Sequence, residues 1–526
     1  MAVGGAPLHL PVLRGGTPYR SLETAPLLDL RTGERVAELG MAHPAMIARD
    51  LSTAGARAGA ALAALPFDER LAICRRAADR FALGELAVGC DGEAQSPDGY
   101  LRQLAATTGM PLALGRANLE KLRATLAQMA EVVAGLTRGL PAAAFDGAAT
   151  EQGAAAARFQ RQSDLLGAVL PSNSPGVHGL WLAAPALGVG LALKPGRSEP
   201  WTPLRLLHAL AAAGWPREAL SCYPTAHAGG AEILLRCGRS LLFGDQATVA
   251  PWRGDPRVQV HGPGLSKVLF GADQLADWPA HLELVASSIL ANGGRSCTNA
   301  SGVWLPAPSA AAAPAAGGAR LGGGPRSTPG RELAEALASR LAAVEARPLD
   351  DPRAQLAAWP DAAAARRVSD WIDRRLTPGE AEDLTAAARG GGRLAEVDGC
   401  TFLLPTLIWV RDPGHPLAHA ELLFPFCAVV EVPADELLSR IGPTLVATAI
   451  TADGEFRRQL LDCRDIDHLH LGAVPTWQVS FAQPHEGNLF DLLYRRRAVR
   501  EADLQPPWRA AAAPAAVASS PEGATP

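Results

Sequence analysis

Apolar positions along the chain recur at two spacings, and the spacing changes near residue 165. Before it, from 44 to 136, Ala-rich stretches at 55–65, 68–83 and 117–136 repeat apolar residues about every 3.6 positions, which predicts amphipathic helices. Beyond it, short apolar runs alternate with helical ones. Residues 166–170 read as a buried strand, 180–187 as a helix and 190–193 as a strand. Residues 203–213 read as a helix with Pro203 near its start. Further strands are expected at 241–243, 258–261 and 267–270. A helix-length run at 282–291 precedes a strand at 302–305 that Pro306 stops. Helices are expected at 331–344 and 360–376, and strands at 400–410 and 427–432. Strands alternating with helices predict an α/β fold with mostly parallel, helix-covered sheets. The first forty residues mix Pro, Gly and short apolar runs and read as an arm or irregular strand.

Composition narrows this picture. A chain of 526 residues with 48% hydrophobic content supports a large core and more than one domain. Residues 307–329 are largely Ala, Gly, Pro and Ser, too poor in apolar surface to fold alone, and read as a flexible insertion. The Ala/Pro-rich tail after Pro506 reads as disordered. The net charge of -4 is mild, and basic residues are scattered, Arg495-Arg496-Arg497 being a short run. Nucleic-acid and membrane-surface partners are therefore not expected. The most apolar stretch, 179–193, is broken by Pro185 and glycines and is too short to span a bilayer. No basic segment followed by an apolar one opens the chain, so no signal peptide is expected.

The eight cysteines include no CxxC pair, which gives no support for a zinc ribbon or a thioredoxin-like motif. Their spacing in a chain this long is not a disulfide framework, and a reducing cytoplasm is expected. His468 and His470 alternate along a strand and share a face, but no third ligand is near, so no metal site is expected.

Candidate chemistry centres on Cys297, in the small polar turn Asn292-Gly293-Gly294-Arg295-Ser296-Cys297-Thr298-Asn299. A thiol on such a turn can be exposed and near backbone N–H groups, conditions that favour the nucleophilic thiolate. The bland alternative is a small buried hydrophobe. Asn173 lies in Pro171-Ser172-Asn173-Ser174-Pro175, where it is either a turn former or an amide donor. Lys194 ends the strand at 190–193 in Ala192-Leu193-Lys194-Pro195-Gly196. Gly188-Val189-Gly190 with Gly196 is not a dinucleotide fingerprint, because it lies in or before a strand and its spacing is wrong.

Taken together, these motifs resemble the aldehyde dehydrogenase superfamily, in which a Pro-x-Asn-x-Pro turn, a Lys-Pro strand end and a catalytic cysteine occur in this order. The resemblance runs from about Leu165 to Val499. It implies a nucleotide cofactor-binding domain (1–143 and 162–275), a catalytic domain (276–467) and an oligomerisation β element (144–161 and 468–499) of a homodimer or homotetramer. It implies NAD or NADP as cofactor and a small-molecule aldehyde as substrate. Cys297 would attack the carbonyl, Asn173 and the Cys297 N–H would hold the oxyanion, and a thioester would follow. Lys194 and either Glu199 or Arg197 would meet the adenosine ribose. Phe243-Gly244-Asp245 resembles the turn that brings Gly244 to the pyrophosphate, although Asp245 either caps a helix and points away or repels phosphate. Glu421 in Glu421-Leu422-Leu423-Phe424-Pro425 would hold the nicotinamide ribose.

The chain departs from the hydrolytic members at one point. Their general-base glutamate precedes the cysteine by some thirty-odd residues, where this chain has Val260-His261-Gly262-Pro263-Gly264-Leu265-Ser266-Lys267. His261 is either a base or a strand-ending histidine. Gly262-Pro263-Gly264 resembles the CoA-acylating branch, in which coenzyme A is co-substrate and an acyl thioester can be reduced in reverse. The alternatives are water-dependent oxidation, with His261 or a distant carboxylate as base, and a nucleotide-binding scaffold without catalysis.

Overall fold

The computed structural model describes residues 8–152, 155–307 and 328–500. Most of the insertion expected over 307–329, and all of the tail from 507, lie outside the described residues.

Five short apolar strands form the parallel part of a first sheet, in the spatial order Val258–His261, Arg239–Phe243, Leu165–Val169, Gly190–Lys194, Leu220–Cys222. The central ones are almost wholly buried, as strands covered by helices on both faces must be. Val12–Arg14 and Thr17–Tyr19 extend this sheet antiparallel. Leu8–Leu10, Arg35–Gly40 and Thr24–Leu28 build a small sheet of their own. Residues 8–40 thus carry five regular strands, not an irregular arm. Helices Pro44–Ala63, Phe67–Leu83, Trp201–Ala212 and His227–Arg236 supply the apolar cover.

A second seven-stranded sheet runs in the order Ala381–Asp383, Thr406–Val410, Phe426–Val432, Gly302–Pro306, Lys267–Phe270, Thr444–Ile450, Ile466–Leu471. All its pairings are parallel except the first. Two expected boundaries are corrected here. Lys267–Phe270 belongs to this sheet, so the change of domain falls after His261 rather than at 275. Five residues cannot make the crossover that a parallel neighbour in one sheet requires, so the chain leaves for another sheet. Ile466–Leu471 also belongs here rather than to the oligomerisation element, because helix Gly454–Asp462 provides its crossover. The strand expected at 400–410 is two, Cys400–Leu403 and Thr406–Val410, interrupted at Pro405, which has no N–H to donate.

Thr150–Gln152, Ala155–Arg161 and Tyr494–Val499 form an antiparallel three-stranded sheet. The stretches expected to act together are therefore paired.

Candidate active site

Helix Leu282–Leu290 packs Val285, Ala286 and Ile289 into the core of the second sheet. The chain then reverses through Asn292, Gly293 and Gly294, all at positive φ. A Cβ on Gly294 would stand 2.2 Å from the Pro425 nitrogen, so the turn admits only glycine there. Asn118 Nδ2 donates to Asn292 Oδ1 at 2.7 Å, and Asn292 Nδ2 donates to Ser174 Oγ at 2.8 Å, tying the turn to the first domain. Ser296 N–H donates to Asn299 Oδ1 at 2.8 Å, and Ser266 Oγ–H donates to the Cys297 carbonyl at 2.7 Å. The Cys297 backbone is fixed from both sides.

Cys297 stands where two cavities meet. The first, of about 360 Å³, lies at the C-terminal ends of Leu165–Val169, Arg239–Phe243 and Val258–His261, the place where open parallel sheets bind ligands. Pro171, Phe243 and Leu423 give it apolar walls. The second, of about 270 Å³, opens on the other side between helix Leu112–Ala127 and the segment carrying Trp477 and Phe481. Asn173, Cys297 and His485 line both.

The structure gathers most of the expected residues. Asn173 follows strand Leu165–Val169, and its amide donates to the Arg295 carbonyl at 2.9 Å. Its buried Oδ1 has no hydrogen-bond partner among the described residues. Gly244, His261 and Glu421 line the first cavity. Glu421 accepts from the Leu265 N–H at 2.7 Å, and burial pushes its pKa up to about 7 against the backbone hydrogen bonds. Asp245 caps helix Gln246–Val249 by accepting from the Thr248 N–H at 2.8 Å, yet it also lines the first cavity, so it caps without leaving the site.

Two expected cofactor contacts lie outside both cavities. Lys194 ends its strand at the same sheet edge but outside both cavity walls, its Nζ donating to the Pro195 carbonyl at 3.3 Å. Glu199 is 1% exposed, with Oε1 accepting from the Thr202 N–H and hydroxyl at 2.8 and 2.7 Å and Oε2 paired with His178 at 2.9 Å. Both its oxygens are committed inside the core, so it is a helix-start anchor and not a ribose ligand. Arg197 is the exposed member of that pair of alternatives.

His261 is also placed differently from a free base. Its ring stacks on Phe243 with centroids 4.4 Å apart. Gln259 Nε2 lies 3.1 Å from His261 Nε2, and His261 Nδ1 is hydrogen-bonded to Glu486 Oε2. With the glutamine amide donating, His261 is the Nδ1–H tautomer and neither nitrogen is left to accept a substrate proton. It is corrected from a base to a support for Glu486.

Sequence reasoning missed His485 and Glu486, which only the fold brings to the sulfur. His485 Nε2 lies 3.7 Å from Cys297 Sγ and 3.5 Å from Glu486 Oε2. Burial lowers His485 to about 4. Burial alone would raise Glu486, but His261 and His485 beside it hold it at about 2. Burial pushes the Cys297 thiol well above its ordinary value, and the carboxylates of Glu486 and Glu421 push the same way. The three resting groups are therefore a thiol, a neutral imidazole and an ionised carboxylate. The only signal in the sequence was an imidazole next to a carboxylate in the Pro/Gly-flanked loop Pro484-His485-Glu486-Gly487, too short to be a motif.

No protein-family model matches the chain, and no curated protein matches it. Solved structures do. The aldehyde dehydrogenase KauB from Pseudomonas aeruginosa is 17% identical, over 94% of this chain and 97% of that one, with a TM-score of 0.73. An indole-3-acetaldehyde dehydrogenase complexed with NAD+ is 17% identical over 94% and 97%, with a TM-score of 0.70. An NADP dependent enzyme of E. coli is 16% identical over 94% and 98%, with a TM-score of 0.70. At such identities the likeness is one of fold.

Proposed function

We propose, on the premise that the chain has the aldehyde dehydrogenase fold, that it is an NAD(P)-dependent enzyme oxidising a small aldehyde through a thioester on Cys297. The observation that carries this reading is the position of Cys297 between two cavities, with Asn173 lining both; in this reading the first takes the nucleotide and the second the substrate. The residues of the first cavity fit the nicotinamide end. Apolar walls suit a flat ring, the orphaned Asn173 Oδ1 awaits a donor, and a Cβ on Gly262 would meet nothing nearer than 3.7 Å. Gly244 and Glu421 would hold this end, and Lys194 at the same sheet edge the adenosine end. When bound, the nucleotide supplies an acceptor for the hydride that leaves the aldehyde carbon.

Cys297 Sγ adds to the carbonyl carbon, forming a thiohemiacetal. Its oxyanion is held by the Cys297 N–H and the Asn173 amide, donors fixed before the reaction begins. Loss of hydride leaves a thioester, and water releases the acid. A second reading makes a thiol such as coenzyme A the acyl acceptor, in either direction. It is favoured by the loop Gly262-Pro263-Gly264, which carries no carboxylate and packs its backbone on the Cys297 carbonyl. The intact nucleophile and its two cavities weigh against a scaffold without catalysis. The paired three-stranded sheet supports a homodimer or homotetramer, and eight free cysteines support a cytoplasmic setting. Among the described residues no helix is long and apolar enough to cross a membrane.

The test is NAD(P)H formation from a panel of aldehydes, with and without coenzyme A, by wild type and Cys297→Ala. Turnover that needs no coenzyme A and vanishes in the variant is expected. Strict dependence on coenzyme A would select the second reading, and turnover retained by the variant would remove the nucleophile assignment.

A further inference from the structure

The half-buried Cys297 thiol, with its raised pKa, needs a neighbour to take its proton. The loop 262–266 offers none, being Gly, Pro, Gly, Leu and Ser. The segment after strand Ile466–Leu471 returns across the cleft instead. Phe481 packs on Gly179 so closely that a Cβ there would stand 2.2 Å from the ring, and Asn488 Nδ2 donates to the Leu136 carbonyl at 2.8 Å. These contacts hold His485 and Glu486 against Cys297.

We propose that His485 is the proton acceptor for Cys297 and for the water that later releases the acyl group, with Glu486 and His261 as its positioning residues. The inference rests on Cys297 being the nucleophile of the function proposed above. The geometry assigns the roles in sequence. Nε2 of His485 lies 3.7 Å from the sulfur and 3.5 Å from the carboxylate. A proton leaving Sγ for Nε2 breaks the S–H bond and makes an N–H bond directed at the sulfur, while Glu486 Oε2 is close enough to the ring to stabilise its positive charge. Because burial keeps the resting groups as thiol and neutral imidazole, the transfer accompanies attack of the sulfur on the aldehyde carbon, and the carboxylate balances the imidazolium as it forms. Glu486 is in turn held by the Nδ1–H of His261, whose other nitrogen accepts from Gln259.

Once the thioester has formed and the imidazolium has released its proton to solvent, Nε2 is an acceptor again. It takes a proton from water as the hydroxyl adds to the thioester carbon. The C–S bond then breaks and the proton passes to sulfur, so that one water gives one carboxylic acid and the restored thiol. The groups facing His485 are Cys297, Glu486 and His261, the ring of His468 at 5.4 Å between centroids, and Lys121 from helix Leu112–Ala127. Of these, only Glu486 carries a negative charge able to stabilise the imidazolium.

The test needs neither aldehyde nor nucleotide. Alkylation of Cys297 by iodoacetamide is followed on its peptide by mass spectrometry at fixed neutral pH, in wild type, His485→Gln and Glu486→Gln. Loss of the base should slow alkylation roughly 10²-fold. Glu486→Gln separates the alternatives by sign. A carboxylate that merely lies near the sulfur disfavours the thiolate, so its removal would speed alkylation. A carboxylate that stabilises the imidazolium makes its removal slow alkylation. Slowing in both variants is expected, and faster or unchanged labelling in Glu486→Gln overturns the proposal. Buried Cys222 and Cys427 stay unlabelled while the fold is intact. Should His485→Gln expose them, the isosteric Glu486→Gln carries the decision. Wild type that forms no NAD(P)H from any aldehyde refutes the proposed function, and it does so without altering the alkylation result.

Discussion

Gly264→Ala adds one methyl group at the closest approach between the two halves of the site. The new Cβ would stand 2.1 Å from the Cys297 carbonyl oxygen, 2.9 Å from its carbon and 3.0 Å from its Cβ, where ordinary contact begins at 3.4 Å. Relief needs a shift of roughly an ångström, and neither side is free to give it. The Gly264 carbonyl accepts from the Leu445 N–H at 2.7 Å, and the Cys297 carbonyl accepts from Ser266 at 2.7 Å. Overpacking of this kind costs about 1–3 kcal/mol of stability. A misplacement of that size at a reacting atom costs about 10²-fold in rate. The variant should therefore fold with a lowered denaturation midpoint and lose about two orders of magnitude in kcat/KM for aldehyde. Urea melts and steady-state NAD(P)H formation measure the two effects. A variant with wild-type kinetics would refute the reasoning, because the turn of Cys297 would then be free to move without consequence.

Asn173→Ala should lower kcat by about 10²-fold, the loss of one oxyanion donor; an unchanged kcat would place the donor elsewhere. Glu199→Ala should lower Tm, since the Thr202 N–H and His178 lose buried partners at about 1–3 kcal/mol each, and should leave the KM for nucleotide unaltered; a raised KM with unchanged Tm would restore the ribose role. Acid should destabilise the protein in two steps. His485 falls from 6.5 unfolded to about 4 folded, so the unfolded chain binds the extra proton and about 3 kcal/mol is lost as pH drops from 6.5 to 4. Glu486, lowered from 4.5 to about 2, contributes stability above 4.5 that is lost as pH falls toward 2. Half-buried His208, also lowered to about 4, acts in the same direction, so the His485 share is the difference between melts of wild type and His485→Gln. Equal pH dependence of the two Tm curves would contradict the buried neutral imidazole.

Much of the fold was legible because it depends on local spacing. The strands Val258–His261 and Lys267–Phe270 were read to the residue, since a short apolar run between Gly and Pro has few other uses. The neighbourhoods of Cys297 and Asn173 were legible for a related reason: Gly, Asn and Pro turns at strand and helix ends record how the backbone must bend there. Glu199 misled because the resemblance offered it, alongside Arg197, as the family's ribose glutamate, whereas its burial beside His178 follows from the packing of helix Trp201–Ala212. Periodicity likewise cannot say which sheet a strand joins, and Lys267–Phe270 crosses to the second sheet because its loop is too short for a crossover in the first.

By itself, then, the chain determined an α/β framework and a thiol on a glycine-rich turn, because both are written within a few residues of each other. Tertiary structure decided what surrounds that thiol. His485 and Glu486 lie 188 positions or more along the chain from Cys297 and approach it only when the segment beyond the second sheet folds back over the cleft. Burial, not composition, then sets which of these groups carries a proton. An imidazole, a carboxylate and a thiol acquire their roles from the distances between them, and those distances exist only in the folded chain.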